Sequence, residues 1–454
     1  MASKKVLKAL NNEELLSYII NVTPELRDEI DLPVQGESIA PIGKIIINNQ
    51  RYKNAFINTV NLIAETVIKR NGWDNPWLWF TERGSISFGQ QIREIIVDLC
   101  NVYDYNKKFE DKTFFLETEV PNILQYIHEV NFQKMYKTTT SDAQMSMAFD
   151  TADGLFTLID EIVGMLYESL KYDKYIVDKY MLCRRILDGT VTPSYIEIEN
   201  KYTREIVSEI KAVSNKFTFR NPNYNPAGVK IATSFDNQVL IVSTDFEAQF
   251  STEVLATSFF RDEADMRSRL ALCDGFGNHD DIRLREVLED LYIPFTAEEL
   301  EQLSKIPAVL ISDKWFMDYN YNLNIDGEDG GVKFTDFYNP SSLENTHFLH
   351  YWGVFSTSPF EQATVYTDIE GSVTGVTISP ETATIATGAK LPLTAMVETT
   401  GFVNKAVTWI SSDDTIATVN SAGVVTAIAA GEVTITATSI YDNSQTATAT
   451  ITIS

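Results

Sequence analysis

Apolar residues in this chain change their spacing several times, and the changes mark off unlike parts. Over residues 54–70, Phe56, Ile57, Val60, Ile63, Ala64, Val67 and Ile68 recur at helical intervals. That spacing predicts an amphipathic helix, stopped by Asn71-Gly72. Pro76 biases its predecessor away from helical backbone, so residues 73–80 are predicted to begin extended structure. Runs at 85–89 and 92–99 read as strand, a charged stretch fills 103–112, and 120–130 returns as strand. The simplest arrangement is a long β-hairpin with a charged tip. A hairpin of two strands is only marginally stable alone, so this one needs another surface to lie on.

Helical spacing resumes over 141–172, where Met145, Phe149, Ala152, Phe156, Ile159, Val163, Leu166 and Leu170 fall on one side. Ser141-Asp142 suits its start. A second helix is predicted over 175–188 and closed by Gly189. Residues 190–312 mix a helix at 202–213, a strand at 238–242, a helix at 254–260 and the continuously apolar run Ala308-Val309-Leu310-Ile311. Aromatic strands are predicted at 315–320 and 347–356, with a last one at 363–366 and an acidic linker at 367–372. The division is an N-terminal arm over 1–50, with a helix at 13–20, an α+β body over 51–372, and a β domain over 373–454.

In that last part Val, Ile, Thr and Ala alternate between turn residues. Ala406-Val407-Thr408-Trp409-Ile410-Ser411-Ser412, Thr415-Ile416-Ala417-Thr418-Val419, Gly423-Val424-Val425-Thr426-Ala427 and 431–437 follow at turn-limited intervals. Period-two runs turn one apolar row of each strand toward a shared interior, which predicts a small β-sandwich. Trp409, the only tryptophan of this segment, is placed to fill the space between its sheets. These residues resemble the bacterial Ig-like domain, group 2. That resemblance implies a fold and leaves the job open.

A length of 454 residues favours more than one domain. The 63 acidic and 37 basic residues leave a net charge of -26, which argues against tight phosphate binding. Cys100, Cys183 and Cys273 lie far apart, without metal-ligand spacing, and suit a reducing compartment. No secretory signal and no run of transmembrane length is read.

Chemistry is sparse. No phosphate-cradling loop, zinc spacing or nucleophile elbow is found, and Asp274-Gly275-Phe276-Gly277 reads as a surface turn. His347 and His350 project to opposite faces of a strand, so they cannot easily share a metal; His128 and His279 are the other histidines. Asp326-Gly327-Glu328-Asp329-Gly330-Gly331 lacks the full calcium-loop pattern and reads as a solvated turn. No catalytic, cofactor-binding or metal residue is nominated. The aromatic cluster Trp73, Trp77, Trp79 and Phe80 reads equally as an interface anchor or as a core strand.

Several stretches in order along the chain carry a second resemblance. They are Ile46-Ile47-Asn48-Asn49-Gln50, Asn75-Pro76, Gln91-Ile92-Arg93-Glu94-Ile95-Ile96-Val97-Asp98, Val120-Pro121-Asn122, Phe132-Gln133-Lys134-Met135-Tyr136, residues 309–317, and Tyr351-Trp352. Together they resemble the major capsid proteins of picovirus-type short-tailed phages, whose members also carry a C-terminal Ig-like domain. The resemblance implies an α+β fold of the tailed-phage and herpesvirus capsid type, followed by the all-β sandwich. It implies an extended E-loop near 84–137, a spine helix near 143–171, an axial domain near 190–312 and a peripheral return over 313–370. Pentamers and hexamers of the chain would then form a head shell around double-stranded DNA, bound without sequence specificity, and assembled in the host cytoplasm with a scaffolding protein and a portal. The Ig-like domain would stand outside, facing head fibres or host carbohydrate, with no membrane partner and no cofactor. Two other readings compete: a phage or surface protein that attaches to cell-wall carbohydrate through its Ig-like domain, and a hydrolase with that domain appended.

Overall fold

The computed structural model describes residues 12–27, 30–32, 39–49, 51–56, 73–87, 90–97, 99, 123–141, 164–196, 203–249, 269–322, 331–342, 344–420 and 423–454. Expectations for 57–72, 103–112, 254–260 and 326–330, and for most of 141–163, fall outside the described residues. At the N-terminus the helix Asn12–Val22 matches the one expected at 13–20, and it buries Leu16, Ile19 and Ile20. The short helix Pro24–Arg27 and the helix Ala40–Asn48 follow.

Among the described residues, twelve strands lie in the body. They are β1 (Glu82–Ile86), β2 (Ile92–Val97), β3 (Ile123–His128), β4 (Phe132–Ser141), β5 (Thr192–Tyr195), β6 (Gln238–Ser243), β7 (Leu270–Cys273), β8 (Ala308–Ser312), β9 (Asp318–Tyr321), β10 (Val332–Asn339), β11 (Glu344–Val354) and β12 (Ala363–Thr367). They form two five-stranded sheets and a separate hairpin. One sheet runs β1-β9-β11-β10, with β4 also paired to β11. In β11 burial alternates, so Asn345, His347, Leu349 and Tyr351 point inward. The other sheet runs β5-β12-β8-β6-β7. Its central strands β6, β8 and β12 are buried along their whole length, which explains why Ala308-Val309-Leu310-Ile311 is apolar without alternation.

The helix Met165–Leu187, here the long helix, joins the two sheets. Tyr175, Ile176, Leu182, Cys183 and Ile186 pack into the core formed by β6, β8 and β12, while Leu166, Leu170 and Val177 pack with Phe132, Leu349 and Tyr351 of the first sheet. This corrects the expected break at 172–175 and the helix end near 171. Helical backbone runs through Tyr172, Asp173 and Lys174, because partners on other elements satisfy their polar groups. The expected stop is where it was placed: Gly189 has φ +72, the left-handed geometry that glycine adopts without strain.

Two further expectations change. Residues 73–80 do not begin a strand; Pro76 lies in a turn and Leu78–Thr81 forms one helical turn before β1. β1 itself is not part of the hairpin, since it runs parallel to β9 in the first sheet. The aromatic cluster there divides. Trp77 and Phe80 are buried with Tyr175 and Phe316, and the indole Nε1 of Trp77 donates to the Leu272 carbonyl at 2.9 Å, whereas Trp73 and Trp79 are exposed.

The C-terminal domain holds β13 (Ser372–Ser379), β14 (Thr382–Ile385), β15 (Lys390–Pro392), β16 (Thr394–Thr400), β17 (Val407–Ser411), β18 (Ala417–Val419), β19 (Val424–Ala427), β20 (Gly431–Ser439) and β21 (Thr446–Ile453). The order β14-β21-β20-β17 faces β15-β19-β18 across a core of Leu393, Val425, Val433, Ile435, Ala449 and Ile451. Trp409 is half-buried against this core, and a Cβ on Gly423 would lie 2.9 Å from its ring.

Candidate assembly interface

The hairpin of β2 and β3 is held in a fixed register from Ile92 opposite His128 to Val97 opposite Ile123. Opposed residues share a face, so Arg93, Ile95, Val97, Ile123, Gln125 and Ile127 form one side. On that side Ile95, Val97 and Ile123 are 57%, 58% and 55% exposed. Large aliphatic side chains in a row on one face of a two-stranded ribbon form an uncovered apolar strip. Covering the exposed part of each would gain about 1–1.5 kcal/mol.

The root of the hairpin is fixed. His128 is fully buried; its Nδ1 lies 2.8 Å from Ser356 Oγ and its Nε2 3.5 Å from Glu94 Oε2. Ser358 Oγ donates to the other oxygen of Glu94 at 2.7 Å. Asn131 closes the connection to β4: its Nδ2 donates to the Phe355 carbonyl at 2.6 Å and its Oδ1 accepts from the Phe355 amide at 2.9 Å. Polar contacts from both strands and the following turn thus converge on 355–358, and they set the direction in which the arm leaves the body.

The long helix carries the polar ties that hold the frame behind the arm. Asp173 is fully buried and accepts from Arg283 Nε at 2.8 Å, Arg283 Nη2 at 2.9 Å and the Tyr136 hydroxyl at 2.7 Å. Burial pushes its carboxyl up, against the pull of Arg283 and Tyr136. Lys179 Nζ and the Tyr175 hydroxyl both donate to Asp274, at 2.5 and 2.6 Å. The segment 274–277 is a surface turn, as expected, with Asp274 exposed, but it also anchors the long helix, and Phe276 is buried in the core beneath it. Asp178 faces Asp318 of β9, and burial pushes both carboxyls up; the neighbouring carboxyl raises Asp318 further. His347 and His350 do lie on opposite faces, with His347 Nδ1 2.6 Å from Asp336 Oδ1 and His350 Nε2 2.8 Å from Thr335 Oγ1. Among the described residues no group of histidine, cysteine or carboxylate side chains could hold a metal ion.

The β domain is joined closely to this frame. Phe402, between β16 and β17, is 5% exposed and belongs to the body core with Trp77, Val365 and Trp315. Lys405 Nζ donates at 3.2 Å to the carbonyl of Leu187, the last residue of the long helix, where a cation also suits the helix dipole. A Cβ on Gly189 would lie 2.7 Å from the Val403 carbonyl oxygen. The expected acidic linker at 367–372 is packed rather than loose, since Thr367 and Gly371 are buried and the Tyr441 hydroxyl donates to the Gly371 carbonyl at 3.1 Å.

The sequence model of the family described as Phi29-like phage major capsid protein matches residues 19–367, and that of the bacterial Ig-like domain (group 2) matches residues 372–451. The major capsid protein of Bacillus phage GA-1 is 26% identical over 410 residues, covering 87% of this chain and 78% of its own. An Ig-like virion protein of Serratia phage KSP90 is 50% identical over 66 residues, which are 14% of this chain and 26% of its own. Among solved structures, the capsid structure of Staphylococcus phage Andhra aligns at 14% identity with a TM-score of 0.47, over 67% of this chain and 86% of that one. These matches define a structural protein of the virion, not a catalyst. The chain belongs to the Phi29-like phage major capsid proteins and carries a C-terminal Ig-like domain of group 2. The hydrolase and carbohydrate-attachment readings give way to this one.

Proposed function

We propose that the chain builds its head shell by laying the hairpin over a neighbouring copy within pentamers and hexamers, and that the closed shell encloses double-stranded DNA. In this reading the hairpin with its flanking strands is the E-loop, the long helix is the spine, β5 to β8 with their helices make the axial domain, and the strands from β9 to β12 return toward the periphery. The observation that carries it is the uncovered strip of Ile95, Val97 and Ile123 on an arm whose root is fixed by His128, Glu94 and Asn131. An arm in that state gains stability only by lying on something, and a second copy of the chain is the surface present at highest local concentration in a shell. Each further contact strengthens the same ring against outward pressure.

The Ig-like domain stands on the outer surface in a set orientation, because Phe402 and Lys405 join it to the body rather than to a free tether. The net charge of -26 lets packaged DNA slide along the wall instead of adhering to it. A scaffolding protein and a portal complete assembly. Negative-stain electron microscopy of the purified chain, with and without its scaffolding partner, tests the reading. Shells, tubes or capsomer rings are expected. A monodisperse monomer under both conditions would overturn it.

A further inference from the structure

Beside the middle of the long helix lies a cavity of about 130 Å³, whose lining includes Tyr172, Lys179, Asp274, Asn278, His279 and Asp280. Within it Lys179 and Asp274 form an ion pair, so their charges cancel. Asp280 has no cation partner among the described residues. Its Oδ1 accepts from the Arg283 amide at 3.0 Å, which caps the helix Asp281–Leu288, and its Oδ2 accepts from the Tyr172 hydroxyl at a long 3.3 Å. His279 stacks on Phe295 with ring centroids 4.4 Å apart. Burial, and then Lys179, push its imidazole down to about 4, so the ring is neutral. Its contact with the Phe276 backbone favours the charged ring, as a carbonyl acceptor does, and its Nε2 is buried without a hydrogen-bond partner. In a neutral ring whose other nitrogen carries the hydrogen, Nε2 is an acceptor.

The cavity therefore combines an uncompensated negative charge with two acceptors, Asp280 Oδ2 and His279 Nε2. Its rim is aromatic and apolar. Trp73 is 44% exposed and packs edge-on against Tyr172 and Tyr175, with ring centroids 6.2 and 5.6 Å apart. Ile282, two residues beyond Asp280, is 77% exposed. An anion would be repelled by Asp280, and an apolar group would leave both acceptors unpaired. A flat cation with several donors that also lies well against aromatic rings answers all of these features, and that describes the guanidinium of an arginine.

The hairpin carries such a group. Arg93 stands on the same side as Ile95, Val97 and Ile123, and its Nη2 donates to Gln91 at 3.4 Å, with no carboxylate partner among the described residues. A cation at the end of an apolar strip is complementary to an acidic site beside exposed apolar side chains. No described residue of the hairpin lines the cavity within the single chain.

We propose that this cavity receives the Arg93 side chain of a neighbouring copy, its guanidinium bound by Asp280 and His279 beneath Trp73. The contact rests on the reading of the hairpin as an arm laid over a neighbour, and it fixes where on that neighbour the arm lies. Ile95, two residues on, is then carried about 7 Å beyond Arg93, within reach of the exposed Trp73 or Ile282. Apolar surfaces alone slide on one another, whereas a cation seated among fixed acceptors sets the register.

Arg93→Cys and Asn278→Cys, made together in the full chain, test the contact directly, because Asn278 is exposed where it lines the cavity. After assembly and mild oxidation, a gel run without reductant is expected to show a ladder of linked chains that a thiol reverses. Either variant alone is expected to show no ladder beyond the background set by Cys100, Cys183 and Cys273. Shells that form without the ladder overturn the proposal and leave the hairpin reading standing. A wild-type chain that forms no shells overturns that reading and the proposal with it. A double-mutant cycle covers a cysteine variant that does not assemble. Arg93→Gln and Asp280→Asn, the asparagine keeping the helix cap, are each expected to raise the concentration at which shells appear about tenfold. Together they are expected to raise it no further than either alone. A combined rise of about a hundredfold, or no rise from either variant, overturns the proposal.

Discussion

Replacing Phe402 with alanine separates two pictures of the Ig-like domain, a module on a flexible string and a module built into the body. Phe402 comes from the β domain, yet it belongs to the same buried cluster as the body residues Trp77, Val365 and Trp315, and the domain's own core around Val425 and Ile435 does not include it. Removing a buried phenylalanine costs about 3–5 kcal/mol when the site cannot collapse. Here the cluster holds residues of β12 and the long helix, with Ile369 of the 367–372 segment packed against it, which leaves little room to close. A loss of that size raises the equilibrium for opening the junction by about a hundredfold to a few thousandfold. Hydrogen exchange read peptide by peptide gives the answer, because it follows the body and the β domain separately. Protection is expected to fall in 363–372 and at the end of the long helix, to stay unchanged in β20 and β21, and to be matched by faster proteolysis within 367–372. Unchanged protection across 363–372 would refute the packing argument and return the domain to a tether.

Asp178 gives a pH test. Its carboxyl is raised by burial to about 7, so between the ordinary aspartate value and that point the folded chain holds a proton that the unfolded chain has released. Stability from this group is present at low pH and declines as pH rises through that window, by up to about 1.4 kcal/mol per pH unit. Asp178→Asn is expected to flatten that part of the stability profile, measured by urea unfolding from pH 4 to 8; an unchanged slope contradicts the buried pair. Gly189→Ala forces an alanine into left-handed backbone and sets its Cβ 2.7 Å from the Val403 carbonyl oxygen. A loss of about 1–3 kcal/mol is expected, with the junction opening as in Phe402→Ala, and a variant of wild-type stability counts against the close approach.

What could be read from the sequence was what repeats. Alternation in β11, β20 and β21 and the unbroken apolar run of β8 follow directly from burial on one face or on two. Gly189 ends the long helix because few other residues take its backbone angle. Long-range satisfaction of polar groups was not legible. Asp173 and Lys174 look like the end of a helix until Arg283 and Glu82, remote in the chain, are seen to pair with them. Pro76 suggested a strand, whereas Trp77 beside it is buried and tied to Leu272, so tertiary contact chose a turn and one helical turn instead. Phe402 carries no local signal at all, since an aromatic residue between two strands of a sandwich reads the same whether it faces its own core or another. The apolar strip on β2 and β3 was present as strand pattern, but which face stays uncovered appears only once Ile95 and Val97 are opposed to Gln125 and Ile123.

The most direct test of the account is assembly by the double variant Val97→Asp, Ile123→Asp. Both side chains are more than half exposed in the single chain and stand opposite each other, so the substitutions are expected to weaken the hairpin locally by about 1 kcal/mol and to leave the body folded, which urea unfolding checks. They place two charges on the strip that is to be buried against a neighbour, where unpaired charge is costly. Negative-stain electron microscopy is expected to show wild-type shells and, for the variant, folded chains that form none. Shells of normal shape and yield from the variant would contradict the claim that this hairpin holds the head together.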